Sequence, residues 1–111
     1  PAGSSLLEQR LIAARSWLSS TNGSHFTIQL LATDISQGAS LEEFLRGWRT
    51  TGRLDLIYIY RTKVRGSVWF GVLYDDYKSF SAARAALDGL PPELKRYKPF
   101  IRNVRDIGNL G

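Results

Sequence analysis

Apolar and polar residues alternate from His25 to Ala32, so Phe26, Ile28 and Leu30 are assigned to a core while Thr27, Gln29 and Leu31 face the other way. Upstream the period lengthens to that of a helix. Ser5 and Glu8 form a capping-box pattern, and Leu7, Leu11, Ala14 and Leu18, joined by Ile12 and Trp17, make one apolar side that should end between Ser19 and Asn22. Downstream, a polar loop from Thr33 to Ala39 leads to a second capping pattern, Ser40 with Glu43. There Leu41, Phe44, Leu45 and Trp48 recur at helical spacing until Gly52, which assigns Trp48 to the core. Leu54 to Thr62 reads as a strand with Ile57 and Ile59 on one face and Tyr58 and Tyr60 on the other. A basic hairpin loop, Thr62 to Gly66, returns the chain into a strand from Ser67 to Tyr74, where Phe70, Val72 and Tyr74 alternate with Trp69, Gly71 and Leu73. Ser79 to Leu90 predicts a further helix with Phe80, Ala83, Leu87 and Leu90 on one side. Pro91 and Pro92 stop it, and a last strand from Pro99 to Val104 precedes a polar, glycine-containing tail.

The order βαββαβ after the first helix places the chain in the α+β class. It predicts a four-stranded antiparallel sheet, order 4-1-3-2, RNP- or ferredoxin-like, with two helices on one face and an extra N-terminal helix. The corresponding division is residues 1–22 for the helix and linker, 23–107 for the domain and 108–111 for the tail. Three uses fit the extra helix: docking on the sheet domain, offering a surface to a partner, or ending a longer helical region.

With 111 residues and 43% of them hydrophobic, one core is well supplied. The net charge of +5 favours an anionic partner or surface without naming it. The absence of cysteine excludes disulfides and thiolate chemistry. No apolar run is long enough to span a bilayer, and no signal peptide is visible. Because Met is absent even at the start, the chain is expected to be a fragment or a processed product, with any membrane anchor outside it.

If the helices cover the side bearing Phe26, Ile28, Leu30, Ile57, Ile59, Phe70 and Val72, the other side exposes Gln29, Tyr58, Tyr60, Trp69 and one of Phe100 or Ile101. Aromatic rings on a rigid sheet suit bases or the C–H faces of sugars, and Gln29 can both donate to and accept from a polar ligand. The plain structural alternative is that the N-terminal helix covers this face. Catalysis has little support. His25 is the only histidine, no cysteine can complete a triad or metal site, and Asp75-Asp76 and Glu42-Glu43 read as capping or solvating pairs. No catalytic residue, metal or cofactor is therefore expected. An RNA-recognition motif wants [KR]-G-[FY]-[GA]-F-V-x-[FY] on its third strand. Arg65-Gly66-Ser67-Val68-Trp69-Phe70-Gly71-Val72 keeps the Arg-Gly opening but has Ser67 and Val72 at two aromatic positions, so nucleic acid is not the expected partner.

His25-Phe26-Thr27-Ile28-Gln29-Leu30, Gly47-Trp48, Val68-Trp69-Phe70-Gly71-Val72-Leu73, Leu90-Pro91 and Pro99-Phe100-Ile101-Arg102 occur in an order that resembles the sporulation-related repeat (SPOR) domains of bacteria, especially the DamX-type branch. The resemblance runs from about His25 to Val104. It implies a non-enzymatic, periplasmic module at the end of a single-pass inner-membrane protein, binding peptidoglycan glycan strands stripped of stem peptides at the division septum. Gln29 is then the polar contact, Trp69 the stacking residue and Phe100 the aromatic where relatives carry Trp; Ala32 stands where relatives tend to carry Ser. Tyr58 and Tyr60 extend the face, and Arg61 and Arg102 are nominated to pair with the lactyl carboxylates of the glycan. Division or envelope proteins are further candidate partners, through a protein-interaction use of the same fold. The membrane would be reached only through a segment outside this chain.

Overall fold

The computed structural model describes residues 5–21 and 23–108. Residues 1–4, Asn22, where the first helix was expected to have ended, and residues 109–111 of the expected tail lie outside them. The sheet contains β1 (Phe26–Asp34), β2 (Ile57–Val64), β3 (Ser67–Tyr77) and β4 (Phe100–Asn103) in the order β2-β3-β1-β4, all neighbours antiparallel. Read from the other edge, this is the expected 4-1-3-2. Helices α2 (Gly38–Thr51) and α3 (Phe80–Asp88) cover one face, where Ile28, Leu30, Leu41, Leu45, Ile57, Ile59, Phe70 and Val72 form the main core. A short helix, α4 (Pro92–Lys95), lies in the connection to β4.

The N-terminal helix, α1 (Leu6–Ser20), runs beside the β2 edge. Its N-terminal end contributes Leu6 to the main core, and its C-terminal end places Trp17 in a second cluster with Tyr60, Leu73, Val104 and Ile107. Ile12, grouped with the apolar side by spacing, is instead 62% exposed. The Ser5 hydroxyl accepts from the Glu8 N–H as the capping pattern predicts. The second predicted cap does not form. The helix begins three residues earlier, at Gly38 after a 3-10 turn (Ile35–Gln37), and no side chain caps it.

Glu42, expected to serve its own helix, caps α1 instead. Its two carboxylate oxygens accept from the N–H groups of Leu6 and Leu7 at 2.9 and 3.0 Å. An acidic group at a helix N-terminus satisfies orphan donors and complements the helix dipole. Glu42→Ala is expected to lower stability by about 1 kcal/mol, in the range of lost N-caps, and to speed amide exchange selectively in the first turn of α1. Unchanged exchange there would show that the cap is idle.

Two bulges reset the strand alternation. Pairing passes from Gln29 opposite Leu73 to Leu31 opposite Val72, so β1 carries one extra residue at Leu30. Leu31 therefore packs against the main core rather than facing away from it. The second bulge is in β3, between the pairs Ile28 with Tyr74 and Phe26 with Tyr77, where Asp75 has φ +61°. Asp75 and Asp76, expected in a turn, thus belong to a strand that continues to Tyr77. The β2–β3 hairpin is also tighter than expected: β2 reaches Val64, and only Arg65 and Gly66, both with positive φ, make the turn. Phe80, expected on the packed side of its helix, is 55% exposed, though its ring meets Phe26 edge-on.

Candidate functional site

The face opposite α2 and α3 is only partly open. Directly paired residues share a face, so Gln29, Leu73 and Tyr58 lie together, as do Gly71 with Tyr60, and Trp69 between Asp34 and Thr62. On the far edge, Phe100 pairs with Gln29, and Arg102 with Thr27. Arg61 pairs with Phe70 and so leaves β2 towards the α2 and α3 side, apart from Tyr60 and Gln29. Gln29, Tyr58, Tyr60, Trp69, Phe100 and Arg102 are brought onto one face; Arg61 is not.

The Tyr58 end of this face is covered. The Trp17 ring stacks on Tyr58 with centroids 4.3 Å apart and planes 10° from parallel, while the Arg10 guanidinium stands 5.8 Å from the other ring's centroid. The Trp17 indole N–H donates to Asp76 Oδ2 at 3.2 Å, and Asp76 Oδ1 is 2.9 Å from His25 Nδ1. Behind these groups, α5 (Val104–Gly108) turns Val104 and Ile107 onto the same face. This helix was expected as strand end and polar tail. The apolar pair at i and i+3 was its one sequence signal, too short to separate from chance.

At the centre, Gln29, Tyr60 and Arg102 form a closed polar set. Arg102 Nη1 donates to the Tyr60 oxygen at 2.6 Å and to Gln29 Oε1 at 2.9 Å, and the Tyr60 O–H donates to the same Oε1 at 2.9 Å. Since a guanidinium can only donate, this set fixes the Gln29 amide with its oxygen inward. Gln29 is 8% exposed and Tyr60 is 8% exposed, whereas Phe100 beside them is 50% exposed. Trp69 and Arg102 are half-buried. Among the described residues the Gln29 amide nitrogen has no hydrogen-bond partner, and Arg102 uses only Nη1. What stays accessible is a strip on which the exposed Phe100 and the half-buried Arg102 and Trp69 surround the nearly buried Gln29, Phe100 directly across from it and Trp69 farther along β3, four residues from the Leu73 that faces Gln29. Asp34 lies beside Trp69. Its carboxylate accepts the Ser36 N–H, which holds its pKa below the ordinary value.

Burial raises the pKa of the phenols of Tyr58 and Tyr60, with Arg10 and Arg102 respectively opposing the shift. Burial also raises that of Tyr77, reinforced by Asp75. A raised folded-state pKa adds stability that is complete below the unfolded phenol value and is lost as pH climbs through the folded one. The urea midpoint should therefore hold steady up to about pH 10 and fall above it. A midpoint that rises with pH in that range contradicts the burial of these phenols.

No protein-family model matches the chain. A sequence match gives its class: the chain belongs to the DamX-type SPOR family. It is 30% identical over 88 residues to the cell division protein DamX of Serratia marcescens, an alignment that covers 79% of this chain and 38% of that protein. The chain thus spans well under half the length of that relative. No helix among the described residues is long and apolar enough to cross a membrane.

Proposed function

We propose that this chain is a non-catalytic, cell-division-associated module that binds peptidoglycan glycan strands lacking stem peptides and carries its parent protein to the septum. The observation that carries the reading is the strip centred on Gln29. Its carbonyl is committed to Arg102 and Tyr60, its N–H2 is left over, and the exposed Phe100 ring lies directly across the β1–β4 ladder. An amide beside an aromatic ring suits a sugar, whose hydroxyls take hydrogen bonds while its C–H faces lie on aromatic surfaces. The free N–H groups of Arg102 suit a lactyl carboxylate. Membership of the DamX-type family supports the same ligand and a periplasmic position at the end of a single-pass inner-membrane protein.

Individual contacts at such an exposed strip are weak, so retention on a polymer would come from several chains or subsites acting together. The test is co-sedimentation with sacculi before and after amidase treatment. The chain should pellet with treated sacculi, and Phe100→Ala, a change at an exposed site, should reduce the bound fraction several-fold. Equal supernatant fractions with and without treated sacculi would sink the reading. Salt-sensitive retention of single-stranded RNA in their place would transfer the site to nucleic acid.

A further inference from the structure

A groove of about 540 Å³ lies between the C-terminal half of α2 and the start of α4, within the size range of ligand sites. Phe44, Gly47, Trp48 and Thr51, at i, i+3, i+4 and i+7 of α2, form one wall with Arg53, and Pro91, Glu93 and Leu94 form the other. Phe44, Trp48 and Leu94 are half-buried, and the remaining lining is exposed. The Phe44 and Trp48 rings meet at 63° with centroids 6.2 Å apart, so their faces are set at an angle to each other. Gly47 is the unexpected residue. Glycine weakens a helix interior, yet the Gly47 backbone is helical, not left-handed, and a Cβ added there would meet nothing within 4 Å. No contact within the described chain calls for glycine at this position. What it does is leave the α2 backbone bare on the floor of the groove.

We propose that this groove binds a proline-rich segment of a partner protein in the polyproline II conformation, with one acidic and one basic residue flanking the prolines. Such a segment offers flat rings and unpaired carbonyls but few backbone N–H groups, so it suits aromatic walls that carry donors. Among the described residues the Trp48 indole N–H has no hydrogen-bond partner and is not sealed from solvent. A helical ligand satisfies its own carbonyls and would leave this donor unused. Four polyproline II residues span about 12 Å, close to the roughly 10 Å that α2 rises from Phe44 to Thr51. Arg53 and Glu93, on opposite walls and in no ion pair among the described residues, complement the two flanking charges. The groove belongs to the helical side of the sheet, away from Gln29, and does not rest on the glycan reading.

The probe is an acetylated, amidated hexapeptide of glutamate, four consecutive prolines and lysine, titrated into the 15N-labelled chain. The expected result is a saturable shift of the Gly47 and Thr51 amides and the Trp48 indole N–H, with contacts from proline ring protons to the Phe44 and Trp48 rings. Gly47→Leu fills the groove from its floor. It should weaken binding at least tenfold while the melting temperature stays level or rises, because a good helix former replaces glycine in open space. Arg53→Glu should weaken binding several-fold. A peptide with alanine in place of the prolines should bind at least tenfold less tightly. Absence of saturable shifts at these groups, or binding indifferent to Gly47→Leu, overturns the proposal. Equal binding of the alanine peptide overturns it in favour of a helical ligand, and shifts of the same groups with protein concentration alone overturn it in favour of a second copy of the chain. Sacculus binding by Gly47→Leu should match the wild type, so the two readings fail separately.

Discussion

Trp17→Ala should lower global stability by about 3 kcal/mol, the lower end for truncating a buried aromatic side chain, and should release α1 from the sheet. Trp17 is 8% exposed, stacks on Tyr58, donates to Asp76 and belongs to the cluster with Leu73, Val104 and Ile107. Truncation opens a cavity and leaves Asp76 with His25 as its remaining side-chain partner. For a domain of this size the melting temperature should drop by roughly 10 °C or more. Amide exchange would locate the effect: α1 should lose protection while β1 and β3 keep theirs relative to the new global stability. A loss under about 1 kcal/mol, within reach of ordinary surface changes, would mean that α1 rests on the domain without being part of it.

Gly71→Ala should be the second severe change. A methyl group at Gly71 would overlap the Tyr60 ring and sit 2.8 Å from its hydroxyl oxygen. Tyr60 cannot yield freely, because it is buried and its hydroxyl joins Gln29 and Arg102. Either the ring moves and the polar set opens, or the strand shifts. Overpacking of this kind typically costs about 1–3 kcal/mol. Tyr60→Phe separates the two effects: it removes the hydroxyl, at about 1 kcal/mol, and keeps the ring on Gly71. If Gly71→Ala melts with the wild type and leaves the Gln29 side-chain resonances in place, the close approach of ring to strand is not a constraint.

Strand identity, sheet order and, apart from Ile12 and Phe80, the apolar sides of the helices were legible in the sequence, because period-two and helical spacing record which face each residue buries. Gln29 and Trp69 were placed on one face by the same alternation. Leu31 was misplaced because the extra residue at Leu30 breaks the period, and a bulge has no mark in a run of aliphatic residues. Exposure of Tyr58 and Tyr60 was overestimated because the cover comes from Trp17 and Ile107 at opposite ends of the chain, a contact that no local pattern encodes. Glu42 is similar: its position suits the start of its own helix, yet tertiary packing brings a different helix's free N–H groups to it. Arg61 followed simple alternation, and its assignment beside Arg102 overlooked that it is one residue out of phase with Tyr60.

The central claim is that the open strip of the second face, with Gln29 at its middle, reads a glycan without stem peptides. It is tested most directly by titrating the 15N-labelled chain with a tetrasaccharide of alternating N-acetylglucosamine and N-acetylmuramic acid, with and without stem peptides. The stripped tetrasaccharide should shift the Gln29 side-chain N–H2 and the Trp69 indole N–H, with smaller changes at the Phe100 and Arg102 amides, and the peptide-bearing form should shift them less at equal concentration. Shifts confined to other surfaces, or equal responses to both forms, would contradict it.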